Sequence, residues 1–374
     1  MACSSNKEIV SGGNDADLRY YDLEKKTCTI YSHHTKKILR ISKNPHSPNT
    51  FLSCSSDGTI RKFDIRLKYS GTTVKSFDEY SSSDGEDYVL PQAFGGGRVS
   101  RIEVTTDTPF RDSLVLDYRL DKLNRHNKVP TLYSVDFHPD GNRFIVGSSI
   151  GDVRLFDLRK IVDNPSKSCI NIYKNYNIRP NQTEISGCVF SRDGSEIVAT
   201  ALNDFIYVWD IDKDYSKELN LNFLAPPERP PVQEEEDDGD ESSSDDEIVT
   251  YKKCYKGHIS SKTIKGVNFY GPNSEFLISG SDDGHIYIWD KKTGQILQIL
   301  KGHQDIVNSI ATHPTEPLFA SSGIEDIVKL WRNDGEYPTP EVLERRRKNI
   351  DKIAAHNIEL SSRQIPVFEF CAQQ

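Results

Sequence analysis

Nowhere in these 374 residues is there an apolar run long enough to cross a membrane, and the N-terminus lacks the apolar core of a signal peptide. The seven cysteines are scattered, odd in number and never spaced CxxC, so neither a disulfide framework nor a zinc knuckle is expected. Reduced thiols in a protein of the nucleus and cytoplasm are the natural reading. No nucleophile elbow, HExxH helix, Walker loop or paired-carboxylate motif stands out. Gly95-Gly96-Gly97-Arg98 lacks the Lys-Ser/Thr ending and following helix of a phosphate loop and reads as a flexible turn. Basic residues do not interleave with aromatics as a nucleic-acid groove requires. We therefore expect no enzyme, with no catalytic, cofactor-binding or metal-binding residues, no small-molecule substrate, no direct nucleic-acid contact and no membrane contact. The acidity is local as well. Residues 234–247 hold ten acidic residues and no base, so removing their −10 from the formal −9 leaves the rest of the chain at +1. The overall charge thus says nothing about the partners of the remainder.

What the chain has instead is repetition. Tyr255-Lys256-Gly257-His258 opens a stretch that alternates through Ile264, Val267 and Phe269, passes Phe276 to Gly284, and closes on Ile286-Tyr287-Ile288-Trp289-Asp290. Leu300-Lys301-Gly302-His303 opens the next, which passes Phe319 to Gly323 and closes on Ile327-Val328-Lys329-Leu330-Trp331. Period-two alternation marks half-buried strands. A Gly-His opening, a Trp-Asp close and a period of about 40–45 residues mark the blades of a WD40 β-propeller, an all-β fold. Asp57-Gly58 and Asp283-Gly284 sit where two strands turn tightly, and Gly tolerates the positive φ required. The histidines are expected in polar networks within the blades, His258 with Asp283 and His303 with Glu325 or Asp326, rather than on a metal.

Six units are readable, all within residues 1–334. The first, Ile9 to Asp22, is preceded by only eight residues, too few for an inner strand. The second, from His34 to Asp64, is complete. An insertion follows at 69–129. The third unit runs from Tyr133 to Asp157 and carries Ile150 where Asp would stand at the turn, so no polar network is expected there. The fourth, Ile185 to Asp210, carries Asn203 at its turn. A Pro-rich then acidic loop at 225–247 has too little apolar surface to order itself and is expected to be disordered. Ser242, Ser243 and Ser244 each precede an acidic residue by three positions, a pattern resembling a casein-kinase-two target; phosphorylation would deepen the negative field. The fifth and sixth units are the pair described above. In the tail, 335–374, Thr339 and Pro340 open a predicted helix over 341–355 with an apolar stripe of Leu343, Ile350 and Ala354 and the basic run Arg345-Arg346-Arg347-Lys348. Six units leave open a six-blade ring, a seventh blade drawn from the insertion or tail, or a chain lacking its first blade.

Two strand ends stand apart. Phe63-Asp64-Ile65-Arg66 and Phe156-Asp157-Leu158-Arg159 close consecutive units, each with Arg two places after the closing aspartate. Asp212 and Lys292 occupy that place in the fourth and fifth units. An arginine there is expected at the rim, where its rigid fork can engage carboxylates or carbonyls of another protein. This double Asp-x-Arg box resembles the signature of the cullin-4-associated factors, WD40 substrate receptors of the cullin-4 RING ubiquitin ligase. The run Thr263 to Pro272, the pair His313-Pro314 with Ala320 to Gly323, and Pro48 to Ser53 resemble the branch around the family's eighth member. The family often has Trp where Phe63 and Phe156 stand, its branch has seven blades, and both long loops are longer here. The resemblance implies a non-catalytic substrate receptor that binds the ligase's adaptor protein through Asp64, Arg66, Asp157 and Arg159 and presents an unknown protein substrate. The alternative is a ubiquitin-independent scaffold that binds histone tails or assembles another complex.

Overall fold

The computed structural model describes residues 2–5, 7–76, 111–121, 129–175, 183–215, 250–333, 335 and 338–363. The acidic segment, with Ser242, Ser243 and Ser244, and most of the insertion, including Gly95 to Arg98, lie outside the described residues. The chain divides into two compact units, residues 1–132 with 163–165, and residues 133–162 with 166–374.

The first unit holds two antiparallel sheets. Strands β1 (Ala2–Ser5), β2 (Glu8–Gly12), β3 (Leu18–Asp22) and β4 (Thr27–Tyr31) pair in that order. The second sheet starts with β5 (Ile38–Lys43), β6 (Thr50–Ser55) and β7 (Thr59–Asp64). The insertion then serves both sheets. Its β8 (Thr72–Ser76) returns to β4 as a fifth strand, and its β9 (Leu114–Asp117) completes the second sheet beside β7. The expectation that too few residues precede Ile9 for an inner strand is overturned: Ala2 pairs with Val10 and Cys3 with Ile9 across β1 and β2.

The second unit holds four sheets. Its first consists of β10 (Leu132–Phe137), β11 (Arg143–Ser148), β12 (Val153–Asp157) and, after the single turn α1 (Pro165–Ser168), β13 (Cys169–Tyr173). Next come β14 (Ile185–Phe190), β15 (Glu196–Ala201), β16 (Ile206–Asp210) and β17 (Lys253–Tyr255). The third comprises β18 (Val267–Tyr270), β19 (Phe276–Gly280), β20 (His285–Asp290) and β21 (Ile296–Lys301). The last has β22 (Val307–Thr312), β23 (Leu318–Gly323) and β24 (Val328–Arg332), with no fourth strand among the described residues. The described residues thus form six sheets, and the described strands of the insertion join two of them. Helix α2 (Pro340–Arg363) begins where Thr339 and Pro340 predict and runs two turns past the expected end. The Thr339 carbonyl accepts the first helical bond, from the Leu343 N–H.

Burial of both faces is complete in the middle strands β6 and β15. Every residue of β6 and of β15 is buried, a pattern that needs apolar cover on two sides. In the first unit Val10, Leu18, Ile38, Ile41, Phe51 and Phe63 form one cluster across both sheets. In the second, Ile145, Tyr173, Cys188 and Trp209 join the first sheet to the next; Val198, Val208, Val267 and Leu277 continue the core; Ile278, Ile288, Val307 and Phe319 carry it to the last. Full burial of such side chains is worth about 1.5–3 kcal/mol each. Phe63 and Phe156, at positions where a Trp would need a partner for its N–H, instead stack on Phe51 and Phe144 at 5.9 and 5.3 Å between centroids. Gly58 and Gly284 adopt φ of +80° and +78° at the predicted turns, and Asn203 reaches +60°. At Gly58 a Cβ would also stand 2.6 Å from Val129.

The polar networks differ from blade to blade. In the second sheet His34 contacts Asp57 Oδ2 through Nδ1 at 3.0 Å and Ser53 Oγ through Nε2 at 2.7 Å. Burial would push the Asp57 carboxyl up, but bonds from His34, Thr59 and the Thr35 N–H outweigh it and hold it well below the carboxylate range. In the last sheet His303 pairs with Glu325, not Asp326, at 3.1 Å, and its Nε2 contacts Ser321 Oγ at 2.8 Å. Trp331 Nε1 donates to the same hydroxyl at 2.8 Å.

Two expectations need correction here. The blade that carries Ile150 does not lack a network: Ser148 Oγ donates to Asp152 at 2.7 Å and Arg154 Nε binds the same carboxylate at 2.7 Å, both groups buried. His258 does not pair with Asp283. That carboxylate is occupied by Tyr287 Oη and by Asn357 Nδ2, which reaches in from α2, at 2.7 and 2.9 Å. Buried Lys265 takes Asp282. Both His258 ring nitrogens are left buried without a hydrogen-bond partner.

Two outcomes follow. Ser321→Ala removes the hydroxyl shared by His303 and Trp331 and should cost about 1–3 kcal/mol in urea unfolding; an unchanged midpoint would mean that the network carries no stability. Burial lowers His33 and His258 to about 4. The unfolded rings titrate near 6.5, so acid loads the unfolded chain first. Stability should therefore be fully present above about pH 6.5 and fall as the pH drops toward 4. His258→Phe should flatten that fall in melting curves taken from pH 7 to 5; the same slope as wild type would refute the assignment.

Candidate functional site

Both Asp-x-Arg boxes fold into one local clip. At the end of β7 the chain leaves the sheet, and Ile65 N–H is held by the Asn49 carbonyl at 3.0 Å. Asp64 then turns back onto its own loop. Its Oδ1 accepts from the Arg66 backbone N–H at 3.0 Å and from Arg66 Nε at 2.9 Å, and Oδ2 accepts from Nη2 at 2.6 Å. At the end of β12 the pattern repeats. Leu158 N–H is held by the Asn142 carbonyl at 2.9 Å. Asp157 Oδ1 accepts from the Arg159 N–H and Nε, both at 2.9 Å, and Oδ2 from Nη2 at 2.7 Å. Asp157 thereby caps a 3₁₀ turn over Leu158–Lys160.

The spacing explains the geometry. An Asp side chain reaches the N–H two residues on in an Asx turn, and an Arg at that second residue folds its fork back over the same carboxylate. Both carboxyls are held below their ordinary range, first by the bond from the arginine side chain. Exposure divides the pair. Asp64 and Asp157 side chains are 14% and 4% exposed, whereas Arg66 and Arg159 are 63% and 64% exposed. The clip uses Nε and one hydrogen of Nη2; Nη1 and the second Nη2 hydrogen remain as donors on a fork already fixed in orientation. A partner meeting such an arginine pays less ordering entropy than one meeting a free side chain.

No other third-strand end carries this arrangement among the described residues. Asp22 pairs with Lys25 at 2.7 Å, Asp210 with Lys252 at 2.6 Å, and Asp290 accepts from the Thr293 N–H at 2.5 Å. A third clip does occur, missed by the sequence reading. Asp117 binds Arg119 through the same three bonds, at 3.0, 2.8 and 2.7 Å. It ends a fourth strand rather than a third. Asp117 lies opposite Thr59 and Asp64 opposite Thr50, so the two clips sit at opposite ends of one sheet. Arg119 is the less exposed, at 35%. The triplet itself is legible in the sequence; without the strand pairing its position is not.

Arg159→Ala should leave the melting temperature unchanged, because the exposed fork supports nothing beneath it. Asp157→Ala should lower stability by about 0.5–2 kcal/mol, since it removes the cap from the 3₁₀ turn. Equal losses from both would show that the arginine is structural.

Comparison with known proteins agrees with the fold. The sequence profile described as "WD domain, G-beta repeat" matches residues 25–64, 118–157, 249–290 and 294–332. The chain is 46% identical over 90 residues to WD repeat protein iqw1 of Schizosaccharomyces pombe, which covers 24% of this chain and 11% of that protein. It is 38% identical over 115 residues to WD and tetratricopeptide repeats protein 1 of Homo sapiens, covering 28% and 17%. It is 42% identical over 107 residues to DDB1- and CUL4-associated factor 6 of Homo sapiens, covering 28% and 12%. The matched stretch spans less than a fifth of each of these relatives. Repeat spacing, sheet order and profile agree: the chain carries WD40 repeats and has the all-β propeller fold, with six blades among the described residues.

Proposed function

We propose that this protein is a non-catalytic substrate receptor of a cullin-4 RING ubiquitin ligase, working in the nucleus and cytoplasm and nearest to the branch around the eighth cullin-4-associated factor. The observation that carries the reading is the pair of clips at Asp64–Arg66 and Asp157–Arg159, alike in every bond and both presenting an exposed, oriented arginine. A relative over 107 residues is by name a DDB1- and CUL4-associated factor. In this reading Arg66 and Arg159 contact the adaptor protein, and Asp64 and Asp157 orient them. The protein substrate binds elsewhere, and the acidic segment 234–247 contributes to a basic partner. Propellers of this kind act as interaction surfaces, and the chemistry of ubiquitin transfer belongs to the rest of the ligase.

One observation favours the scaffold reading. The third clip at Asp117–Arg119 forms at the other end of its sheet, so an Asp-x-Arg clip is also a local turn device. Co-purification of the tagged full chain with the cullin-4 adaptor separates the two, with wild type beside Arg66→Ala/Arg159→Ala and Arg119→Ala. The receptor reading expects the double variant to lose the adaptor while remaining folded by circular dichroism, and Arg119→Ala to retain it. A wild type that never retains the adaptor overturns the receptor reading and leaves the scaffold.

A further inference from the structure

Helix α2 lies along the outer strands of its unit but does not seal against them. It is pinned near its C-terminal end. Asn357 Nδ2 donates to the Gly257 carbonyl, Asp283 Oδ2 and Tyr287 Oη at 3.0, 2.9 and 2.8 Å, and Ile353 packs on the core between the second and third sheets. Between the helix and β21, with residues of β17 and its end alongside, remains an open cleft of about 690 Å³. Leu297, Leu343 and Ile350 are among its lining residues, and Leu297 and Leu343 are still 43% and 52% exposed. Lys256, Arg346 and Arg347 also line it, and Asp351 is the one carboxylate among its described lining residues.

The basic residues have no evident structural duty. Lys348 pairs with Glu344 at 2.8 Å, but Arg346 and Arg347 have no carboxylate within ion-pair distance among the described residues. Lys256 rests over the Phe205 ring at 4.7 Å. Cations favour the C-terminal end of a helix, and Arg346 and Arg347 lie in the N-terminal half of α2. Exposed leucines on the helix and on β21, beside arginines of the helix, make a groove whose mixed apolar and basic lining calls for apolar groups and carboxylates together. Nucleic acid fits it less well, because a phosphate backbone would leave the leucines uncovered and meet Asp351.

We propose that this cleft is a docking groove for an acidic amphipathic segment of a partner protein, its aliphatic side chains covering Leu297, Leu343 and Ile350 and its carboxylates meeting Arg346, Arg347 and Lys256. The groove does not use the arginine clips, so it stands or falls separately from the ligase reading. The test is fluorescence anisotropy of the full chain with a labelled peptide of about five helical turns, leucine at helical spacing and glutamate elsewhere. Wild type should bind it saturably. Arg346→Glu/Arg347→Glu should weaken binding by about tenfold or more, as should Leu297→Glu, which alters the lining without touching the helix. Arg66→Ala/Arg159→Ala should leave binding unchanged, and the peptide with lysine in place of glutamate should not bind. Circular dichroism confirms that the variants keep their fold. Absence of saturable binding by wild type, or equal binding by the folded charge-reversed variant, overturns the proposal; so does displacement of the peptide by duplex DNA at lower concentration than by unlabelled peptide.

Discussion

A four-stranded antiparallel sheet whose middle strands are apolar on both faces has no core of its own. That constraint governs this molecule. Strand β15 is buried along its whole length because Ile145 and Tyr173 cover it from one side and Val267 and Leu277 from the other. Each sheet is therefore stable only as a neighbour, and stability is shared along the array rather than held in a centre. The insertion is drawn into the same logic. Its described strands β8 and β9 join one sheet each in the first unit, against β4 and β7.

The loops joining neighbouring strands need polar support, and the blades find it differently. His34 with Asp57 and His303 with Glu325 meet the repeat's own pattern. Where Ile150 displaces the turn aspartate, Asp152 and Arg154 carry the charge instead. Around Asp283 the helix supplies Asn357, and the histidine of that blade, His258, is left to its Trp289 neighbour at 5.7 Å between ring centroids. One buried carboxylate can satisfy only so many donors; when a residue distant in sequence occupies it, the local partner is displaced. Helix α2 is thereby tied to its sheet through the buried amide of Asn357.

The clips divide one local motif between a nearly buried aspartate and an exposed arginine. The aspartate does the structural work, capping a turn while nearly buried. The arginine is held by that work and stays in water, where most of its donors remain available. Under the proposed reading, substituting the two residues one at a time would separate folding from binding. The third clip, at the other end of its sheet, indicates that the device alone does not define an interface; its place at a third-strand end, with the arginine two-thirds exposed, distinguishes Arg66 and Arg159 from Arg119.

The repeat, the all-β class, the turn glycines and the clip triplets were legible in the sequence because each depends on short-range rules: alternation, positive φ, and the reach of an Asp side chain to the second residue on. Helix α2 was legible for the same reason, through Thr339, Pro340 and the Leu343–Ile350–Ala354 stripe. Tertiary structure decided what lies across long gaps in the chain. That β8 and β9 of the long insertion join β4 and β7, and that Asn357 takes the place offered to His258, depend on pairings whose partners compete in space. Sequence spacing records which residues can form a turn; only the packed sheets decide which of several equivalent polar groups reaches a buried carboxylate first.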